Sequence, residues 1–258
     1  MSLQGEFADL TREGGRGALV TVVEAPEGAV AAVGAKLLVR ADGSVAGSLG
    51  DAELDARARE HGDELMWAER SELRPDGELS LFVDVTSPPP RLVLFGAVDF
   101  ARELCRMARV AGWRPYVVDP RGRFATQERF PDAEEVLVCW PDAAFARLGI
   151  DRATYIAVLT HDPKLDDAAL TEALASDAGY VGAMGSRRAQ ARRRERLVER
   201  GVSDDQLVRI AAPIGLDLGG LTAEETALSI MAEVVAVRNG REGGRLSHAS
   251  GRIHEVGA

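Results

Sequence analysis

The sequence predicts an α/β protein, a Rossmann-like parallel-sheet domain preceded by a smaller α+β domain. Beyond Leu92 short apolar strands alternate with helices, the pattern that builds a parallel sheet through right-handed crossovers. Before that point β-branched runs joined by a turn sequence enclose one helical stretch. Between the two patterns stands Ser87-Pro88-Pro89-Pro90, which can neither continue a helix nor donate ladder hydrogen bonds. The expected division is an α+β domain over 1–86, a linker over 87–90, a sheet domain over 91–240 and a flexible tail over 241–258, where apolar periodicity fades.

In chain order, Gly17 to Val23 and Lys36 to Arg40 are apolar and β-branched, and Ala41-Asp42-Gly43-Ser44 before Val45 has hairpin-turn chemistry. Asp51 to Glu72 reads as a helix. Glu78 to Val85 alternates Leu79, Leu81, Val83 and Val85 as a half-buried strand does. The second domain then reads strand (Leu92 to Phe95), helix (Asp99 to Ala111), strand (Pro115 to Val118), strand (Glu135 to Trp140), helix (Ala143 to Leu148), strand (Thr154 to Leu159) and helix (Asp166 to Ser176). A short strand at Tyr180-Val181, an arginine-rich helix from Ser186 to Arg200, a strand at Val208 to Ala211 and a helix from Ala223 to Arg238 complete it.

The 258 residues are 46% hydrophobic and 28% charged, enough apolar material for packed cores, and the net charge is −10. That excess of acid argues against attraction to nucleic acid or an anionic membrane. No apolar run reaches the roughly 20 residues needed to span a bilayer and no signal core follows the N-terminus, so the expectation is a cytoplasmic chain. Two cysteines, Cys105 and Cys139, make no disulfide framework and have no metal-type spacing. Cys105 shares an apolar helical stripe with Ala101, Leu104 and Ala108, so both thiols read as core residues, Cys139 lying nearer the crevice.

Candidate binding residues lie where strands end. Gly96, Ala97 and Val98 follow the first strand of the sheet domain in a pattern close to G-x-G-x-x-G/A. Val98, however, stands where a second glycine would let the backbone approach a pyrophosphate, which weakens binding of NAD(P) in the ordinary way. Asp119 ends the next strand where a ribose-binding acid would sit, with Arg121 placed for a phosphate; equally, Asp119 to Gly122 is a turn sequence. Thr160, His161 and Asp162 follow the fourth strand at the ligand-binding edge, although Asp162 also suits the cap of a helix opened by Pro163. Gly185, Ser186, Arg187 and Arg188 place a glycine turn and a serine cap at a helix start, a seat for an anion. The later arginines, at 192, 193, 194, 196 and 200, alternate with Glu195 and Glu199 and read as a solvated face. Gly215 and Asp217 belong to a last glycine loop, and Thr222 with Glu225 fits a capping box. No catalytic residue and no metal ligand is assigned.

Taken together, Val117-Val118-Asp119-Pro120-Arg121, Leu159-Thr160-His161-Asp162-Pro163-Lys164, Tyr180 to Arg188 and Pro213-Ile214-Gly215-Leu216-Asp217 resemble, in order and spacing, the Rossmann domain of the XdhC/CoxI family. Gly34 to Val39, Asp42-Gly43 and Gly47-Ser48-Leu49-Gly50 resemble its first domain more loosely. The resemblance implies a maturation factor rather than an enzyme, a chaperone that binds the molybdenum cofactor, as molybdopterin or its nucleotide form. It also implies delivery to a xanthine-dehydrogenase-like or CO-dehydrogenase-like molybdenum hydroxylase, a sulfur-donating partner protein and a homodimer. The chain departs from the family at Gly50-Asp51-Ala52-Glu53, where many relatives carry a cysteine, and at Gly96-Ala97-Val98-Asp99, where many read G-A-G-H. Two alternatives stay open: an NAD(P)-dependent oxidoreductase, and a non-catalytic regulator that has lost cofactor binding.

Overall fold

The computed structural model describes residues 2–250 and divides at Pro88–Pro89 into two units. The first holds helix α1 (Leu3–Arg12), strands β1 (Gly17–Glu24), β2 (Lys36–Arg40) and β3 (Val45–Ser48), helix α2 (Ala52–Trp67), and strands β4 (Glu72–Asp76) and β5 (Leu79–Thr86). The strands form one antiparallel sheet in the order β3-β2-β1-β5-β4. Alternate residues Ala18, Val20 and Val22 of β1 join Leu54, Ala58, Leu65 and Met66 of α2 in the core of this unit. The expected hairpin at Ala41–Ser44 is present between β2 and β3.

Two elements differ from expectation here. The helix expected to run to Glu72 stops at Trp67; the chain turns through Glu69, at φ +54°, and Glu72 opens β4. The charged Glu72-Leu73-Arg74-Pro75-Asp76 run hides the strand, yet β4 lies at the sheet edge, where charges and a proline are tolerated. No element is signalled before Gly17, but Ser2 caps α1, which buries no residue fully and is tied to β2 by Arg40–Glu6 at 2.7 Å.

The second unit contains β6 (Arg91–Phe95), α3 (Asp99–Val110), β7 (Arg114–Val118), β8 (Glu135–Leu137), α4 (Pro141–Leu148), β9 (Thr154–Val158), α5 (Pro163–Ala175), β10 (Tyr180–Ala183), α6 (Arg187–Glu199), α7 (Asp204–Leu207), β11 (Ile210–Ala211) and α8 (Ala223–Arg238). All its strands pair in parallel, in the order β11-β10-β9-β6-β7-β8. Counted within the unit this is the doubly wound order 6-5-4-1-2-3, whose winding reverses between β6 and β9. Leu92 and Leu94 face the layer of α3 and α8, while Val93 and Phe95 face that of α4, α5 and α6. Both faces of β6 are covered, which is why it reads as a continuous apolar run. Between β7 and β8 no helix forms; Phe124, Ala125, Phe130 and Ala133 of an irregular crossover pack on the core instead.

Several boundaries shift. Helix α5 begins at Pro163, three residues before the expected Asp166, because Asp162 caps it. Strand β8 ends at Leu137 rather than Trp140, and Trp140 precedes a helix opened by Pro141. The expected strand at Val208 is reduced to Ile210–Ala211, since Ser203 and Gln206 form a capping box for α7 and leave Val208 80% exposed. In the expected tail, Leu246–His248 form a single 3-10 turn; residues 251–258 lie outside the described residues.

Candidate functional site

Backbone hydrogen bonds set the strand ends of the second unit side by side. Gly96 N–H donates to Val118 O (2.9 Å), Leu159 N–H to Phe95 O (2.9 Å), Met184 N–H to Val158 O (2.8 Å) and Ile214 N–H to Ala183 O (3.1 Å). The loops that begin at Asp119, Gly96, Thr160, Met184 and Ala212 therefore follow one another along the carboxyl edge of the sheet, where open α/β sheets take their ligands. The expected binding residues lie in these loops, except Arg187 and Arg188, which open helix α6.

The turn after β6 is closed from within. Gly96 takes φ +117°, and a methyl there would come within 2.3 Å of Thr160 Cγ2, so no other residue fits between β6 and β9. The next amide, Ala97 N–H, donates to Asp119 Oδ2 at 2.9 Å. Arg121 supplies the remaining donors, its backbone N–H and Nε to Oδ1 (both 2.9 Å) and a terminal nitrogen to Oδ2 (2.7 Å). Asp119 is 0% exposed. Burial alone would push its carboxyl up, but the Arg121 guanidinium and the Ala97 and Arg121 N–H groups outweigh that and hold it below the usual range. The geometry is that of a turn strut with no open carboxylate oxygen for a ribose. Val98 packs partly into the core, and α3 starts without a side-chain cap.

After β9, Thr160 is buried and its hydroxyl donates to Asp166, while Asp162 N–H donates to Thr160 Oγ1 at 3.2 Å. His161 is exposed. Asp162 accepts from Lys164 N–H at 3.0 Å and caps α5, the local reading that its position before Pro163 allowed; such a cap stabilises by about 1 kcal/mol.

After β10, Gly185 takes φ +129°, and Ser186 caps α6 by accepting from Ala189 N–H at 3.3 Å. Arg187 and Arg188 are exposed at the first turn. The expectation of a solvated arginine face on α6 fails at two positions. Arg193 is 5% exposed and pairs with the buried Asp166 at 2.9 Å; Arg196 pairs with the buried Asp167 at 2.6 Å. The adjacent acids on α5 supply the reason, since each holds one arginine of α6. Burial outweighs the Thr160 and Arg193 hydrogen bonds at Asp166 and leaves its carboxyl raised.

After β11, Gly215 N–H donates to Glu233 of α8 at 2.7 Å, and the Tyr180 hydroxyl donates to the same oxygen. Burial and then Glu233 push the Tyr180 phenol strongly up. Asp217 is exposed beyond this clamp.

The sheet edge thus gathers every candidate residue, with Asp119 internal and His161, Asp162, Ser186, Arg187, Arg188 and Asp217 accessible. Sequence reasoning missed Asp166, Gln190, Arg193 and Glu233, which touch the loops from inside. The only signal was Asp166-Asp167 on one helix facing alternate arginines on the next. Among the described residues no group of three or more His, Cys, Asp or Glu could hold a metal. Cys105 is a core thiol that burial pushes up to about 12; the Cys139 thiol is raised by partial burial. Among the described residues no helix is long and apolar enough to cross a membrane. On the outer face of the unit, α3 and α8 bound an apolar groove of about 480 Å³, lined by Met107, Val110, Leu228, Met231 and Val235 and rimmed by Glu103, Arg106 and Glu224.

Fold and edge define a doubly wound domain whose candidate residues gather at the carboxyl edge of its parallel sheet. Residues 92–234 match the family described as the XdhC Rossmann domain and residues 10–75 that described as the XdhC and CoxI family, and the chain belongs to this family. It is 27% identical to the uncharacterized protein YqeB of Escherichia coli (strain K12), over 97% of this chain and 49% of YqeB. It is 27% identical to a probable xanthine dehydrogenase subunit of Bacillus subtilis (strain 168), over 63% of this chain and 47% of that protein. It is 26% identical to the molybdenum cofactor insertion chaperone PaoD of Escherichia coli (strain K12), over 87% of this chain and 84% of PaoD. The chain spans about half the length of the first two relatives. A crystal structure of a xanthine dehydrogenase from Bacillus halodurans shares the fold, with TM-score 0.53 and 19% identity over 96% of this chain and 98% of that one.

Proposed function

We propose that this chain is an accessory chaperone that binds the molybdenum cofactor and assists its maturation or insertion into a xanthine-dehydrogenase-like or CO-dehydrogenase-like molybdenum hydroxylase. The observation that carries the reading is the turn Gly185–Arg188, an N-terminal helix turn with two exposed arginines on the carboxyl edge of a family-typical sheet. Such a turn suits the phosphate carried by the pterin. The kinship with PaoD supports it.

The residues present fit the phosphate end of the cofactor. Ser186, Arg187 and Arg188 would hold the phosphate, while Thr160, His161 and Asp162 on one side and Gly215 and Asp217 on the other would border the pterin. Gly96, Ala97 and Val98, braced by Asp119 and Arg121, would form the floor at the switch point. The bound group supplies the molybdenum centre; the chain orients and shields it. The first unit holds no cysteine, Gly50 being followed by Asp51-Ala52-Glu53, so sulfur would come from a separate sulfur-donating protein in the cytoplasm. A homodimer would pack on the groove between α3 and α8, where Val110 is 86% and Leu228 52% exposed and the acidic Glu224 of one copy can meet Arg106 of the other. Leu228→Glu should then give a monomer by sedimentation.

Anaerobic purification with pterin fluorescence and molybdenum analysis tests the reading. Wild type should retain cofactor, and Arg187→Ala with Arg188→Ala should lose most of it. A wild-type protein that captures a molybdenum hydroxylase but no pterin would identify a regulator instead. Enhanced nicotinamide fluorescence on titration with NADH or NADPH would revive the oxidoreductase, which Val98 and the engaged Ala97 N–H oppose.

A further inference from the structure

Helix α6 is strongly polar, yet one of its arginines, Arg193, is buried, and burying a charge is costly unless it is paired. Arg193 reaches three acceptors: Asp166 Oδ2 at 2.9 Å, Met184 O at 2.9 Å and Gln190 Oε1. Its Nε finds no acceptor among the described residues. The Gln190 amide in turn donates to Ala183 O (3.4 Å), Met184 O (3.3 Å) and Gly185 O (3.2 Å). Three consecutive carbonyls of the β10 turn are therefore held from underneath by two side chains.

Peptide planarity gives this a consequence. In a trans peptide the C=O and the following N–H point in opposite directions. With Met184 O and Gly185 O drawn toward Gln190 and Arg193, the Gly185 and Ser186 N–H groups must face away from the interior. Neither makes a hydrogen bond among the described residues. Two adjacent outward amides beside a helix start are donors from which one anion could accept together. The same network reaches the neighbouring loop, because Asp166 also accepts from Thr160.

We propose that Arg193, Gln190 and Asp166 are positioning residues that orient the Gly185 and Ser186 N–H groups toward a phosphate-type anion and lock the β10 turn to the Thr160 loop. Lysine could keep the charge but not the planar fork that serves three acceptors at once. The proposal rests on the reading of Gly185–Arg188 as the phosphate seat, and its test separates the two.

The full chain, labelled with ¹⁵N, is compared as wild type, Arg193→Lys and Arg196→Ala, the last breaking the adjacent pair to Asp167 that touches no turn carbonyl. Backbone order parameters and inorganic-phosphate titrations are read at Gly185 and Ser186. Wild type should show rigid amides, with order parameters about 0.85, and Arg193→Lys should drop them below about 0.6. Loss of charge-assisted orientation should also weaken phosphate binding about tenfold. Arg196→Ala should leave both readouts at wild-type values even where it lowers the melting temperature. Wild-type order and affinity in Arg193→Lys would overturn the proposal, as would equal losses in Arg196→Ala, which would mark general loosening of α6. Rigid wild-type amides that ignore phosphate but loosen in Arg193→Lys would sink the phosphate seat and keep the positioning role. Should Arg193→Lys not fold, Gln190→Leu must show the same loosening with the ion pair intact; unchanged amides there overturn the proposal.

Discussion

At the turn after β6 the Ala97 N–H donates to Asp119 at 2.9 Å, whereas at the turn after β10 the Gly185 and Ser186 N–H groups meet no acceptor among the described residues. Both turns follow parallel strands, both use a glycine at positive φ, and both are braced by a carboxylate and an arginine. The difference lies in which backbone groups the brace consumes. Asp119 accepts directly from one turn amide, Ala97 N–H; the Asp166–Arg193 pair works through donors that grip turn carbonyls and leave the amides outside. A doubly wound frame offers several loops that could seat an anion, and on the proposed reading the internal brace selects among them.

The largest expected effect comes from uncoupling the buried pair. Arg193→Met leaves Asp166 buried without its cation, a change that costs about 3–5 kcal/mol where a buried pair is broken. Urea denaturation of the full chain measures it. At the other turn, Asp119→Ala removes acceptors from Arg121, whose side chain is 42% exposed and can turn to water, so the cost should be smaller, about 1–3 kcal/mol for the amide left without an acceptor. A larger loss from Asp119→Ala than from Arg193→Met would break the comparison. The same variant sharpens it: with Asp119 gone, inorganic phosphate should shift the Ala97 amide resonance, which in the wild type should stay still while Gly185 and Ser186 move.

How legible these turns are in the sequence follows from the same contrast. The strand–helix alternation, the position of Gly96 and the caps at Asp162, Ser186 and Thr222 depend on local chemistry and could be read directly. Asp119 was legible as a residue at the sheet edge, but its direction was not, because a carboxylate at the end of a strand can face a ligand or fold back on the preceding turn. Arg193 was illegible: among so many arginines on α6 nothing local distinguishes the one over Asp166, and only the packing of α5 on α6 selects it. Glu233 is hidden for the same reason, lying 18 residues from the Gly215 amide that it holds. In the first unit, β4 was lost because an edge strand needs few apolar residues, and α1 because it packs with no fully buried side chain.

The smallest effect is on the pH dependence of stability, where the two carboxylates should act with opposite sign. The Asp119 carboxyl is held below its ordinary value, so in acid the unfolded chain binds its proton first. Its contribution is complete above the unfolded value of about 4 and is lost as pH falls through the lower folded value. The Asp166 carboxyl is raised by burial, so the folded chain keeps that proton longer. Its contribution is complete below about 4 and is lost as pH rises through the raised folded value. Urea midpoints for wild type, Asp119→Asn and Asp166→Asn, compared at each pH from about 2.5 to 7, isolate these terms from the other acids. The penalty of Asp119→Asn should shrink toward acid, because the wild type loses its advantage there. The penalty of Asp166→Asn should shrink toward neutral pH, because the wild-type carboxyl is then ionised in a buried place and the amide is not. Parallel trends in the two variants would mean that both carboxylates are held alike, and the distinction between a brace that takes up a turn amide and one that grips turn carbonyls would lose its electrostatic support.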